Sequence, residues 1–379
     1  MNMPEMITLE TPAHDASALL PTTDFAYRNQ LEPAGLVRHF LAHPPEGFTA
    51  FALDGAPAFF APFDLLTTLD TDLRKRLARL PGSALLMRLL RFRTCFFGST
   101  VSEYAPWSGG SAPDELPAKM LSAWNKKSRL MIVKDIPEQS PLLSAAENGY
   151  ADSFVSACKE HDFILVEGQA LAYVPIDFAS DDEYLARLSA GRRKNIRRKL
   201  RVRDKLHVEV VQTGDVRFEN DSVLDELYAL YLEVFAQSEI HFDRLTPEFF
   251  RAVLQDASLH GRLFLYYNTE QLIGYNLCFI HANMLVDKYV GFRYPAARDF
   301  NLYFISWMEN LAYARAHGLT HYVAGWTDPE VKSFLGARFT FTRHAVFVRN
   351  PILRAVLRRL SRHFESDRAW FDNKADEPA

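Results

Sequence analysis

Cysteine is scarce in this chain: Cys95, Cys158 and Cys278 are the only three in 379 residues, and none sits in a Cys-x-x-Cys pair. So few and so scattered, they exclude a disulfide framework, a zinc ribbon and a dithiol redox motif, and they suit reduced thiols. Long apolar runs are missing as well. The nearest, residues 56–66, is broken by Asp64 and two prolines and falls short of the roughly 18 residues that a membrane-spanning helix needs. The N-terminal residues include Glu5, Glu10 and Asp15 and lack the basic-then-apolar order of a secretory signal. No G-x-S-x-G elbow supports a hydrolase triad, and no metal-ligand spacing occurs. These absences lead to the expectation of a soluble, cytoplasmic protein that holds no metal.

What is present is an ordinary globular composition, 48% hydrophobic and 24% charged. That balance and this length suit two domains around a large core. The net charge of −4 conceals an imbalance. Nine of the fourteen residues from Arg192 to Lys205 are basic, and without that segment 34 basic residues face 46 acidic ones. Positive charge is gathered into one element, which calls for an explanation.

Apolar periodicity and turn chemistry divide the chain into two halves. The first reads as mixed α/β. It holds strands near 48–53, 58–61, 92–97, 130–133, 163–167 and 170–175, and helices over 73–80, 84–90, 117–127 and 150–160. A Ser/Gly/Pro-rich loop spans 98–117. The second half opens on Ser180-Asp181-Asp182-Glu183, acidic as a helix start favours, and the basic run is expected to continue that helix. A strand at 207–212, an amphipathic helix at 222–235 and a helix led by Thr246-Pro247 follow. Three strands joined by tight turns come next, at 262–267, 272–280 and 284–289. A loop over 291–301 leads to a helix over 302–317 stopped by Gly318. A strand at 320–324, a short helix at 330–335, a closing strand at 339–348 and a basic amphipathic helix at 351–364 complete the reading. The expected units are a flexible N-terminus (1–20), an N-terminal domain (21–178), a C-terminal domain (179–350), and a helix with a mobile tail (351–379).

Two local patterns narrow the field. One is Ser189-Ala190-Gly191-Arg192-Arg193-Lys194-Asn195, with Arg197-Arg198-Lys199 just beyond. The other is Asp287-Lys288-Tyr289-Val290-Gly291-Phe292, followed by Arg298-Asp299-Phe300-Asn301, Gly318-Leu319-Thr320 and Val331-Lys332-Ser333-Phe334-Leu335-Gly336. Together they resemble the FemAB-related and BioF2-like acetyltransferases over about 181–348. The resemblance implies an α/β (α+β) fold of two GNAT-like acyltransferase halves, with mixed, mostly antiparallel sheets flanked by helices. Residues 21–178 would be a degenerate first copy. It further implies an N-acyltransferase with acyl-CoA as donor. One departure bears on the donor. GNAT enzymes cradle the CoA pyrophosphate in an Arg/Gln-x-x-Gly-x-Gly/Ala loop at a helix N-terminus, and 291–302 has no such glycines. An aminoacyl-tRNA, the donor of Fem peptidyltransferases, and an acyl-carrier protein therefore stand as alternative donors.

The candidate residues follow from the chemistry. An attacking amine must lose a proton, which a carboxylate can accept, and a nearby Tyr or Lys can serve the leaving group or oxyanion. Asp287 is the preferred base, with Tyr289 expected on the same strand face; a surface salt bridge is the plain alternative for Asp287. Glu239 and His241, in the stretch ending at Asp243, are candidates for acceptor binding or proton transfer. Arg193, Arg197 and Arg201 recur every four residues and are read as an anion platform for donor phosphates, against a solvated helix face. Arg298 and Asn301 would orient the donor, with simple capping as the alternative. Lys332 resembles the lysine of the family's Lys-x-x-x-Gly pattern and would bind donor phosphate or steady the tetrahedral intermediate.

The expected function is acyl transfer from acyl-CoA to a small-molecule or peptidic amine by direct attack in a ternary complex. Fem-type aminoacyl-tRNA-dependent transfer and a non-catalytic adaptor are the alternatives. No DNA partner is expected, because the chain is acidic overall and shows no basic, aromatic sheet face. Membrane contact is expected to be peripheral at most, through the basic C-terminal helix.

Overall fold

The computed structural model describes residues 27–64, 91–124, 128–238 and 241–360. The helices expected at 73–80 and 84–90, Glu239, the N-terminal residues 1–20 and the tail beyond 360 lie outside them.

The first half supplies β1 (Tyr27–Arg28), α1 (Ala34–Ala42), β2 (Thr49–Leu53), β3 (Ala56–Asp64) and β4 (Arg91–Phe97). It continues with β5 (Trp107–Ser108), α2 (Leu116–Ala123), β6 (Leu130–Glu138), α3 (Ala145–Glu160) and β7 (Ile164–Pro175). The second half begins with α4 (Asp181–Ala186), α5 (Ala190–Leu200), β8 (Leu206–Gln212), α6 (Asp221–Gln237) and α7 (Pro247–Gln255). Then come β9 (Gly261–Asn268), β10 (Gln271–His281), β11 (Met284–Phe292), α8 (Ala296–Asp299) and α9 (Leu302–Ala316). The last elements are β12 (His321–Gly325), α10 (Pro329–Leu335), β13 (Arg338–Val348) and α11 (Pro351–Leu360).

Among the described residues one eleven-stranded sheet runs through both halves in the order β2-β3-β4-β6-β13-β7-β12-β11-β10-β9-β8, beside a two-stranded pair of β1 and β5. Most neighbours are antiparallel; β4 with β6 and β11 with β12 are parallel. Strand β13 does not close an edge. It lies between β6 and β7, antiparallel to both, so the last strand of the second half locks into the first. The run of eight buried residues from Leu272 to Phe279 is what a strand covered on both faces requires. Helices α6 and α7 pack on one face with Leu227, Leu230, Phe249 and Phe250. Helices α5 and α9 cover the other with Ile196, Ile305, Trp307 and Leu311.

Three local expectations change. The strands expected at 163–167 and 170–175 are one strand. At Gly168 a Cβ would come within 2.3 Å of the Thr342 hydroxyl, and β13 shifts register between Phe341 and Arg343; the partner yields, so β7 runs on. The basic run does not continue the helix of Asp181. That helix ends at Ala186, and Ser189 starts α5 by accepting a hydrogen bond from the Arg192 amide. The strand expected to stop at 289 continues to Phe292, because Gly291 lets β11 lie against the Tyr275 ring, 2.2 Å from where a Cβ would sit. Gly291→Ala is therefore an overpacking change. It should cost about 1–3 kcal/mol, read as a lower denaturant midpoint at unchanged m-value.

Candidate functional site

The parallel pair β11 and β12 stays together for only three residue pairs, ending at Val286 with Val323. Beyond that point the strands part. Strand β11 goes on beside β10, and β12 ends at Gly325 against β7. Two parallel strands that diverge leave main-chain groups without a ladder partner, and these must find water or a ligand. Lys288, just past the fork, shows this: its side chain is only 6% exposed while the residue as a whole is half-buried, so its exposed part is main chain. Gly325 holds a positive φ of 77° on the other side of the fork, where a Cβ would lie 3.8 Å from the Asp287 carbonyl and 3.9 Å from the Lys332 Nζ.

Asp287 begins the fork. Its Oδ2 accepts from Asn276 Nδ2 at 2.9 Å, Asn310 Nδ2 at 3.1 Å and the Tyr322 hydroxyl at 2.9 Å. All three donors are buried, and the Asn310 amide also donates to the Tyr322 oxygen at 3.2 Å. The other oxygen, Oδ1, is buried with no N–H or O–H donor, as are the carbonyl oxygens of Asn276 and Asn310, and the Cys278 thiol, opposite Asp287 in the strand pair, also hydrogen-bonds to the carboxylate. Burial raises the Asp287 carboxyl to about 6, opposed by the Tyr322 and Asn276 hydrogen bonds and the Lys332 charge. Lys332, on α10, is 4% exposed, and burial lowers it to about 8 against the pull of Asp287, Glu103 and Asp328. A buried carboxylate whose Oδ1 meets no N–H or O–H donor and an ammonium that deprotonates near neutrality thus share one fork.

Tyr289 does not join them. Strand β11 pairs Leu277 with Tyr289 and Cys278 with Asp287, leaving Lys288 as the extra residue of a bulge. The bulge breaks the alternation that would put Asp287 and Tyr289 on one face. Asp287 meets α9 through Asn310, whereas Tyr289 packs against Phe249 and Phe250 of α7. Its buried hydroxyl has no partner.

Lys288 turns to the same side as Tyr289. Its Nζ lies 3.2 Å from Glu32 Oε1 and 2.5 Å from Glu103 Oε1, and the Glu103 amide donates to Glu32 at 2.6 Å. All three side chains are sealed from solvent. Removing the lysine would strand two buried carboxylates. Lys288→Met should therefore destabilise the protein by about 3–5 kcal/mol, measured by chemical unfolding.

The remaining sequence candidates lie elsewhere. His241 is exposed, its ring edge-on to Phe235 at 5.0 Å, and Glu239 is outside the described residues. Arg193 donates to the carbonyls of Ala186 and Leu188, tying α5 to α4. Arg197 pairs with Asp182 at 2.8 Å, and Arg201 is exposed at the end of α5. Arg298 donates to Gln237 and lies over the Tyr294 ring, and Asn301 takes a positive φ of 50° before α9 without a side-chain cap. Sequence reasoning missed Asn276, Asn310 and Tyr322. The available signal was a lone amide in each of two apolar runs, since a buried amide must be hydrogen-bonded.

Among the described residues no helix is long and apolar enough to cross a membrane, and no group of three or more His, Cys, Asp or Glu is placed to hold a metal ion.

No curated protein matches the sequence. Among solved structures the chain is similar to the C-terminal domain of a putative lysylphosphatidylglycerol synthetase from Agrobacterium fabrum. That likeness has a TM-score of 0.51 at 14% identity over 85% of this chain and 89% of that one, and it is one of fold. L-PGS from Bacillus licheniformis matches at a TM-score of 0.49 and 10% identity, over 87% of this chain and 97% of that one. FemX matches at 0.48 and 14%, over 86% and 98%. The model of one family, described as acting in peptidoglycan biosynthesis or recognition, matches residues 123–377. With that match over most of its length, the chain belongs to the FemAB-like family.

Proposed function

We propose that this protein transfers an acyl or aminoacyl group to an amine at the fork between β11 and β12. The reading is supported by the gathering of Asp287 and Lys332 around Gly325, where two parallel strands part and main chain is left open. An extended donor arm with amide groups would hydrogen-bond to the open main chain as a strand does. The amine nitrogen attacks the acyl carbon, the new C–N bond forms, and the amine proton passes to Asp287. The Lys332 ammonium steadies the developing oxyanion and gives its proton to the leaving thiolate or alkoxide as the C–S or C–O bond breaks. The attack is direct, and no enzyme-bound acyl group is needed. The family's description in peptidoglycan biosynthesis or recognition suits a peptidic amine as acceptor.

Acyl-CoA is the first donor to test, by following free thiol when the protein meets acetyl-CoA or a long-chain acyl-CoA with an amine. Thiol release that requires the amine supports the reading. Its absence with every acyl-CoA would turn the assignment to an aminoacyl-tRNA donor. One observation favours that second donor: Lys194, Arg198, Arg201 and Lys205 are all exposed along one basic segment. Binding to charged tRNA should then weaken steeply with salt.

A further inference from the structure

On the α6–α7 side of β11, opposite Asp287, lies a second polar chamber that the transfer chemistry does not use. Three carboxylates enter it from three loops: Glu32 ahead of α1, Glu103 after β4, and Asp243 between α6 and α7. Glu32 and Glu103 share Lys288, and the charges of all three carboxylates bear on the Tyr289 hydroxyl. The lysine inside is Lys288, paired with Glu32 and Glu103. The next cation, Lys134, is already paired with Asp135. Negative charge is therefore in excess, with Glu32 and Glu103 sealed from water and Asp243 half-buried.

The hydrogen bonding is short by the same measure. Glu32 Oε2, Glu103 Oε2 and the Tyr289 hydroxyl are all buried without a partner, and Glu32, Glu103 and Tyr289 are 2%, 1% and 8% exposed. Buried acceptors left open in a group carry a large penalty, which a donor-only, positively charged group would remove. Burial accordingly raises Glu32 to about 7 and Asp243 to about 6. The three carboxylates are not grouped as ligands of a metal ion, so an organic ammonium, with its N–H donors, suits the open oxygens better. The chamber is in electrical reach of the fork: the Glu103 charge acts on Lys332, and the Lys288 charge on Asp243.

We infer that this chamber binds a second cationic group of the acceptor, so that the acceptor is an aliphatic diamine or a basic amino-acid side chain with a charge beyond the amine that reacts. The inference rests on the transfer reading for the word acceptor, but its test needs no turnover. Calorimetry on the full chain would compare 1,5-diaminopentane with 1-aminopentane. The diamine should bind at least about tenfold more tightly, and the preference should vanish in Asp243→Asn and in Glu103→Gln, both near-isosteric changes. Lys332→Met should keep it. Equal binding of the two amines, no binding of either at millimolar concentration, or a preference that survives both chamber variants would overturn the inference. A diamine preference in a protein that transfers no acyl group would support the cation site and count against the transfer reading.

Discussion

Asp287→Asn should lower kcat by about 10²–10⁴-fold and leave the fold intact. Asparagine keeps the shape of the side chain, and its oxygen can still accept from the Asn276 and Asn310 amides and the Tyr322 hydroxyl that now converge on Oδ2. What it loses is the ability to take a proton from an attacking amine. The same change should make the protein more stable. Burial raises the carboxyl from its ordinary 3.8 to about 6, so the native state binds protons more readily than the unfolded chain between those values. Stability therefore falls as pH rises through that window, and above it the ionised group is a standing cost. Removing the charge should return about 1–2 kcal/mol near neutral pH, seen as a higher urea midpoint. A variant that is inactive and unstable would instead mark Asp287 as a structural residue.

Lys332→Met should cost about 10²–10³-fold in kcat, the loss expected when a preorganised cation is removed from a developing oxyanion. Methionine fills a similar volume, so the buried site stays packed. The stability change again runs opposite to activity. Burial lowers the ammonium from 10.5 to about 8, so the native state holds its proton less well than the unfolded chain. Stability rises with pH across that interval and is reduced below it, and the charged lysine works against folding at neutral pH. Two neighbouring groups of opposite charge, each held at a cost to the fold, form the pattern of a site kept for chemistry.

Much of the frame was legible because its signals are local. Ser180 and Thr246 start their helices by accepting hydrogen bonds from the amides of Glu183 and Phe249, three residues on, and such spacing shows in sequence. The three-strand meander of β9, β10 and β11 showed in its apolar runs and turns. Features that depend on distant partners did not show. No residue near 338 announces that β13 will lie between β6 and β7. The bulge that parts Asp287 from Tyr289 is set by pairing with Leu277 and Cys278, so plain alternation put both side chains on one face. The Lys288 triad joins positions 71 and 185 residues apart, beyond the reach of any spacing argument. The basic helix was conspicuous, yet Arg193 and Arg197 are engaged in tying α5 to α4. Asp287 and Lys332, brought to one fork by β11 and α10, stood out through the family's patterns.

The most direct test of the account is kcat/KM against pH for acyl transfer to an amine, in the wild type and in Asp287→Asn. The wild type should show a bell, rising through about 6 as Asp287 ionises and falling through about 8 as Lys332 loses its proton. The residual activity of the variant should lack the rising limb and keep the falling one. A rising limb near 6 that persists in Asp287→Asn would contradict the assignment of the proton acceptor and, with it, the placing of the chemistry at the β11–β12 fork.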